Sequence, residues 1–118
     1  MRQEKLTRNG ETLFRESYFN TFFRSSPLAV AQAEMEFNRM YAVGEGDASL
    51  AIFYKLLGLE PPEESKVVGW DQDYMMDEWE TWWIYFQHAP NFTEDGTPYC
   101  DIYYPIPPSS LYYERSYG

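Results

Sequence analysis

Residues 77–86 read DEWETWWIYF, and the interpretation of this run decides the fold. Three tryptophans, a tyrosine and a phenylalanine sit beside three carboxylates. The alternation is that of a strand. Trp79, Thr81, Trp83 and Tyr85 point one way, and Glu80, Trp82, Ile84 and Phe86 point the other. Only one end of the second row is polar, so both faces require apolar cover. The pattern predicts a strand over 79–88, a turn at Asp95-Gly96, and a returning strand over 97–106. Tyr99, Asp101 and Tyr103 then oppose Cys100, Ile102 and Tyr104, while Pro98 and Pro105 put this strand at an edge or limit its length. A two-stranded hairpin alone is marginal, so it must lie on helices.

Those helices are expected upstream. Over 11–24, Leu13, Phe14, Tyr18, Phe22 and Phe23 recur at helical spacing. Ser26-Pro27 is a helix start, with Ser26 capping free amides and Pro27 at the first helical position. That helix runs to about Val43, with Val30, Ala33, Phe37 and Tyr41 on one face. Leu28, Ala31 and Met35 widen the stripe, and Gly44 ends it. Asp47 is the expected cap of a further helix over 48–57, carrying Leu50, Phe53, Tyr54 and Leu57 and closed by Gly58. Gly44-Glu45-Gly46 is too short for anything but a tight corner, so the two helices should pack together. Residues 60–66 read as an acidic turn or one helical turn, 67–70 as extended, and 71–74 as loop. Residues 1–10 and 107–118 read as loose or extended ends. The expected fold is one α+β domain, with two or three N-terminal helices packed on a small antiparallel sheet, its hairpin at about 79–104.

Charge is distributed unevenly. Of 118 residues, 19 are acidic and 9 basic, a net charge of −10. Residues 1–59 and 102–118 are each neutral. Between them lie Glu60, Glu63, Glu64, Asp71, Asp73, Asp77, Glu78, Glu80, Glu94, Asp95 and Asp101, opposed only by Lys66. That excess equals the whole net charge. It argues against direct binding to nucleic acid or anionic lipid, whose contacts run through Lys and Arg, and it suits a basic partner. Set against this, a solvated acidic rim around a hairpin is the plainer explanation. A single cysteine, Cys100, allows no internal disulfide and fits a reducing cytoplasm. No apolar run reaches the ~18 residues of a membrane span.

The search for reaction chemistry is mostly negative. His88 is the sole histidine and Cys100 the sole thiol, too few for a zinc site. The two could face each other across the hairpin, where a packed strand pair explains them better. GxSxG, P-loop and GxGxxG patterns are absent. Asp71-Gln72-Asp73 with Asp77 and Glu78 invites a calcium reading, but the fifth and sixth positions from Asp71 are Met75 and Met76, where a loop of that kind needs oxygen and glycine. Asp77 with Glu80 could act as an acid/base pair. Carboxylates this dense always supply some such pair.

The run LAIFYKLLGLEPPEESKVVGW (50–70) resembles a segment of an uncharacterised family of small proteins encoded by phages and prophages of Firmicutes. Family members show a short helix ending in YDxLGL, a polar spacer, and VGW before an acidic region. The matching residues are Tyr54, Leu57, Gly58 and Leu59, then Val68, Gly69 and Trp70. A weaker likeness extends over about 28–101, through a helix containing Gln32 and Asn38 and an Asp-Gly turn. Lys55 departs from the phrase, and the membrane-spanning start of many members is missing. The resemblance implies a mobile-element origin and no activity, and together with the reading of Cys100 it leads to an expected place in the cytoplasm of a bacterial host.

Size, charge and missing catalytic groups together point to a non-enzymatic, protein-binding protein. Concretely, its carboxylates would stand in for phosphates and occupy the basic channel of a host or defence nucleic-acid enzyme. The expected binding residues are Glu63, Glu64, Asp71, Asp73, Asp77, Glu78, Glu80, Trp82, Glu94 and Asp95. Neither cofactor nor metal is expected. Two rival readings are an accessory phage component that oligomerises through its aromatics, and a carbohydrate-binding module with Trp82, Trp83, Tyr103 and Tyr104 as a stacking platform.

Overall fold

The computed structural model describes residues 7–8, 11–43, 48–81 and 83–110. Strands come first. β1 (Thr7–Arg8) pairs antiparallel with β2 (Glu11–Glu16), which turns back into β3 (Thr21–Ser25). Then follow α1 (Pro27–Ala42), β4 (Ala48–Ser49), α2 (Leu50–Leu56), a 3-10 turn (Glu63–Val67) and β5 (Val68–Trp70). The chain continues through α3 (Gln72–Trp79), β6 (Gln87–Phe92), β7 (Pro98–Tyr103) and β8 (Ser109–Ser110).

Among the described residues these strands form two sheets. The larger runs β1-β2-β7-β6, with β3 on the other side of β2. It is mixed: β2 lies parallel to β7, pairing Phe14 with Cys100, Arg15 with Asp101 and Glu16 with Ile102. The smaller sheet, β4-β5-β8, is antiparallel. Phe14, Phe23, Val30 and Ile102 join the inner face of the larger sheet to α1. A second cluster fills the space between α1, α2, β5 and the return through Ile84 and Tyr104. Phe37 sits at its centre, its ring centroid 5.6 Å from Phe53, 5.9 Å from Trp70 and 6.0 Å from Phe86.

The expected architecture, helices first and an antiparallel hairpin sheet after them, is overturned. Helices alternate with strands along the chain, so α+β describes it only in the coarse sense that both occur. Residues 11–24 are a hairpin, not a helix. Phe14, Glu16 and Phe23 alternate inward while Tyr18 and Phe22 stay exposed, and the period is two. The apolar spacing there also fits a helix, and burial on one sheet face settles the ambiguity. The returning strand is central rather than an edge, because β2 pairs with its other side. β6 is the edge. The Thr93 amide donates to the Thr97 carbonyl (2.9 Å), which fixes a ladder phase that turns the backbone of Pro90 outward. The Phe92 amide is taken by Asn91 Oδ1 (2.9 Å), so this edge offers few donors to another strand.

The α1 start is as read. Ser26 Oγ accepts from the Ala29 amide (3.0 Å), and Pro27 begins the helix. Val30, Ala33, Phe37 and Tyr41 are buried as expected. Leu28 and Met35 are not: they are 67% and 66% exposed. α2 is shorter than expected, and Ser49 rather than Asp47 occupies the position before it. The expectations for Gly44, Glu45, Gly46 and Asp47, for residues 1–6 and 9–10, and for 111–118 lie outside the described residues. α1 and α2 pack together through Phe37 and Phe53.

The largest correction concerns the opening stretch. Residues 72–79 are helical, and 80–81 and 83–86 form no strand. The side-chain alternation survives from Trp83 onward, with Ile84 and Phe86 turned inward and Trp83 and Tyr85 outward. The hydrogen-bonding partner is not a strand but one side chain. Asn38 of α1 donates to the Ile84 carbonyl (2.9 Å) and accepts from the Ile84 amide (2.6 Å). A single buried carboxamide does locally what a neighbouring strand would do.

Candidate functional site

α3 is anchored on one side and free on the other. Asp71 caps it by accepting from the Asp73 amide (3.1 Å). Gln72 donates to the Tyr41 carbonyl (3.0 Å), which ties the start of α3 to the end of α1. Met75 is fully buried and pins the first turn. Glu80 then takes a left-handed conformation (φ 52°) and donates its amide to the Met76 carbonyl (3.2 Å), ending the helix. Buried Thr81 binds the amide and carbonyl of Trp83 through its hydroxyl (3.1 and 3.2 Å), and Asn38 holds Ile84. What remains outside is Tyr74, Asp77, Glu78, Trp79, Glu80, Trp83 and Tyr85, with Asp73 beside them. Trp79 and Trp83 are half exposed (50% and 49%).

Five of the ten expected binding residues therefore meet on one element: Asp71, Asp73, Asp77, Glu78 and Glu80. Among the described residues none of them forms an ion pair. The others separate. Glu63 and Glu64 are exposed on the 3-10 turn, where Glu63 pairs with Lys66 at 3.5 Å. Glu94 and Asp95 lie in the β6–β7 turn, around a depression shared with Leu13 and Phe22. Asp95 is spent on that turn. Its carboxylate accepts from the Thr93 hydroxyl and from the Thr97 amide (3.2 Å) and hydroxyl (2.9 Å), bonds that hold its pKa below the ordinary value. Trp82 lies outside the described residues. The four-ring platform is not assembled either, since Tyr104 is buried in the core and Tyr103 bonds Gln87 across the outer face of the sheet (2.8 Å).

Charged groups that sequence reasoning missed are used inside the fold. Glu16 is fully buried and accepts from the amides of Tyr18 (3.0 Å) and Phe19 (2.9 Å), from the Tyr54 hydroxyl (2.7 Å), and from the Tyr104 hydroxyl. Burial pushes both phenols well above the usual tyrosine range, and the Glu16 charge adds to the effect, so both remain donors. Arg15 forms a two-pronged pair with Asp101 (2.8 and 2.9 Å) on the outer sheet face. His88 bonds Glu34 at 2.6 Å, and that bond raises its pKa. His88 pairs with Ile102 and Cys100 with Pro90, so the histidine and thiol are not directly opposed. Burial raises the Cys100 pKa, which makes it a poor nucleophile. Tyr41, buried beneath Asp71, is pushed up to about 12, by burial first and then by the Asp71 charge. Among the described residues no group of three His, Cys, Asp or Glu side chains is disposed to hold a metal ion, and no helix is long and apolar enough to cross a membrane.

Residues 1–113 match a family of unknown function, DUF6353. The chain belongs to that family. Neither the curated proteins nor the solved structures compared with it yield a match. The LGL and VGW phrases of this DUF6353 chain are packing devices. The Gly58 amide donates to the Lys55 carbonyl (3.0 Å) and the Leu59 amide to the Tyr54 carbonyl (2.9 Å), with Gly58 at φ 82° closing α2. Gly69 is hemmed in, because a Cβ there would lie 2.0 Å from the Ala48 carbonyl oxygen in the paired strand. Trp70 is buried and donates its indole N–H to the Ile106 carbonyl (2.8 Å). These glycines and the tryptophan hold β5 in the middle of the smaller sheet, directly before α3.

Proposed function

We propose that this chain is a non-enzymatic protein-binding protein of phage type. In this reading it engages a basic surface, such as the nucleic-acid channel of a host or defence enzyme, within the bacterial cytoplasm. The observation that carries it is the placement of carboxylates on α3. Asp77 and Glu78 occupy its last turn and Glu80 its C-cap, with no basic residue in that turn. The negative end of a helix dipole disfavours acids there, by roughly 0.3–1 kcal/mol each at exposed sites. Acids set against the dipole, without cations among the described residues, and interleaved with half-exposed Trp79, Trp83 and Tyr85, are costly to the fold. They suit a cationic partner that adds aromatic contact.

The test is capture from host lysate at low and high salt, with DNA or RNA as competitor. The reading expects a basic partner that is lost at high salt, since exposed charges are screened beyond ~8–10 Å near physiological ionic strength. Capture of only salt-resistant partners, or no displacement by nucleic acid, would refute the mimicry. A second reading has one observation in its favour. The outer face of the larger sheet leaves Phe22 and Tyr103 exposed beside Tyr99, which suits an oligomerising accessory component. Its signature is a mass that depends on concentration in light scattering.

A further inference from the structure

We infer that β3 is a dimerisation edge, which pairs antiparallel with β3 of a second copy of this chain. The acidic-face reading is independent of this contact. The contact rests on the oligomer reading and gives it a specific geometry. β6 bounds the larger sheet on one side, where Pro90 and the capped Phe92 amide leave few free donors. β3 bounds it on the other, and among the described residues no strand pairs with its outer side. β3 holds no proline, and its residues Phe22 and Arg24 are exposed. An open edge of this kind is a template for another strand.

The hydrogen-bond phase says which groups are on offer. The Ser17 amide donates to the Ile102 carbonyl (3.1 Å), so Arg15 and Ser17 turn their backbone groups toward β7, and Phe14 and Glu16 turn theirs toward β3. Their partners Phe23 and Thr21 face back toward β2. The amides and carbonyls of Phe22 and Arg24 therefore point away from the sheet, as donors and acceptors without a ladder partner among the described residues.

Only one register uses all of them. Setting Phe22 opposite Arg24 of the second copy, about a two-fold axis at Phe23, pairs every one of these amides with a carbonyl. Arg24 opposite Arg24 would put like charges together. Phe22 opposite Phe22 would run into Asn20, whose φ of 59° belongs to the turn and not to a strand. In the chosen register each Arg24 guanidinium lies beside the Phe22 ring of the other copy on the outer sheet face, a cation–aromatic pair made at both ends. The Phe22 ring already stands edge-on to Tyr99 (5.1 Å), which holds it in place for that contact.

Charge selects a second copy over the basic partner proposed for α3. β3 carries a cation and no acid, so it repels a basic strand. A second copy, with its net charge of −10, attracts Arg24 instead. The uncompensated carboxylates of α3 stay clear of the contact, because α3 is tied to α1 and α1 packs on the inner face of the sheet.

Light scattering of the full chain over a wide concentration range should show a mass that rises from one chain to two and stops there. Arg24→Pro removes an edge donor from each copy without touching the β2 ladder, since that amide faces outward. The dimer should weaken by about tenfold or more while the melting curve is kept. Arg24→Ala keeps the donor and loses only the cation, so it should weaken the dimer less. If Arg24→Pro does not fold, amide exchange in the unaltered chain decides the matter: Phe22 and Arg24 should slow as concentration rises, and Phe23 should change less. A mass that rises but ignores Arg24→Pro, or exchange at Phe22 and Arg24 that ignores concentration, would overturn the β3 contact and leave oligomerisation through the outer face standing. Growth past two chains would do the same, because paired β3 edges close on each other. A single chain at every concentration would overturn both.

Discussion

The larger sheet and the α3 region treat carboxylates in opposite ways. In and against the sheet, Glu16 meets four donors, Asp101 grips Arg15, and Glu34 holds His88. On α3 and its C-cap, four exposed acids meet no cation among the described residues, and three of them sit at the wrong end of the helix dipole. Composition makes no distinction between the two sets. The first set is structural and should respond to mutation as buried polar groups do. In the second, Asp73 sits in the first turn, where the dipole favours an acid, and the position of the other three calls for an external explanation.

The same chemical change, glutamate to glutamine, separates the regions most sharply. Glu16→Gln puts an amide nitrogen against donors that cannot turn away, two of them backbone N–H groups. Each unsatisfied buried donor costs about 1–3 kcal/mol, so a loss of about 3 kcal/mol or more is expected in urea unfolding. Glu78→Gln should be neutral or slightly stabilising. Equal effects at the two sites would erase the distinction. Tyr104→Phe should cost less than Glu16→Gln, since the carboxylate keeps its other donors.

Asn38 links the two regions, and its loss comes next in size. Asn38→Leu keeps the branched outline of the side chain but strands the amide and carbonyl of Ile84, at about 2–3 kcal/mol. It should also free residues 80–86, read as faster amide exchange at Ile84 than at Phe14. An unchanged exchange rate would mean that packing of Ile84 and Phe86, not the carboxamide, holds the segment.

The His88–Glu34 bond is weaker and shows itself through pH. Its bond to Glu34 raises the folded-state pKa of His88 above the ordinary ~6.5. The stabilisation is therefore fully present below about pH 6.5 and is lost as pH rises through the folded value. His88 keeps 37% of its side-chain surface exposed, so solvent screening holds the effect below about 1 kcal/mol. Melting curves of the wild type and His88→Gln should diverge below neutrality and converge in alkali.

Much of the helical part was legible in sequence, and the reasons are local. Ser26-Pro27 and Gly58 are punctuation whose chemistry acts within a few residues, and both behave as read. The VGW run was recognised as extended, but its glycine is explained only by the paired Ala48 carbonyl. The strand pairing was not legible. Phe14, Phe22 and Phe23 fit a helical period as well as a strand period, and the parallel partner Cys100 lies 86 positions away from Phe14. Reading 11–24 as a helix hid Glu16, whose position in phase with Phe14 would have marked it as buried. In α1, polar Asn38 beside Phe37 on the apolar face was a visible signal that went unread. In 77–86 the alternation was real only from Trp83, because Asp71 and buried Met75 start a helix that the tryptophans masked.

A modest effect carries the most information about function. Replacing Asp77 and Glu78 with lysine puts cations at the negative end of α3 and removes acids that have no ion-pair partner among the described residues. Asp71 is best left alone, because it caps the helix. On the dipole argument alone, which counts two acids removed and two cations added, the pair should raise stability by roughly 1 kcal/mol or more, and the gain should shrink as salt is added. A natural chain that forgoes so simple a gain holds those carboxylates for something other than folding. If the double variant is more stable yet loses its salt-sensitive partner, stability and binding pull in opposite directions on α3. If it is destabilised by 1 kcal/mol or more, Asp77 and Glu78 belong with Glu16 and Asp101 as structural groups, and the contrast between the two regions fails.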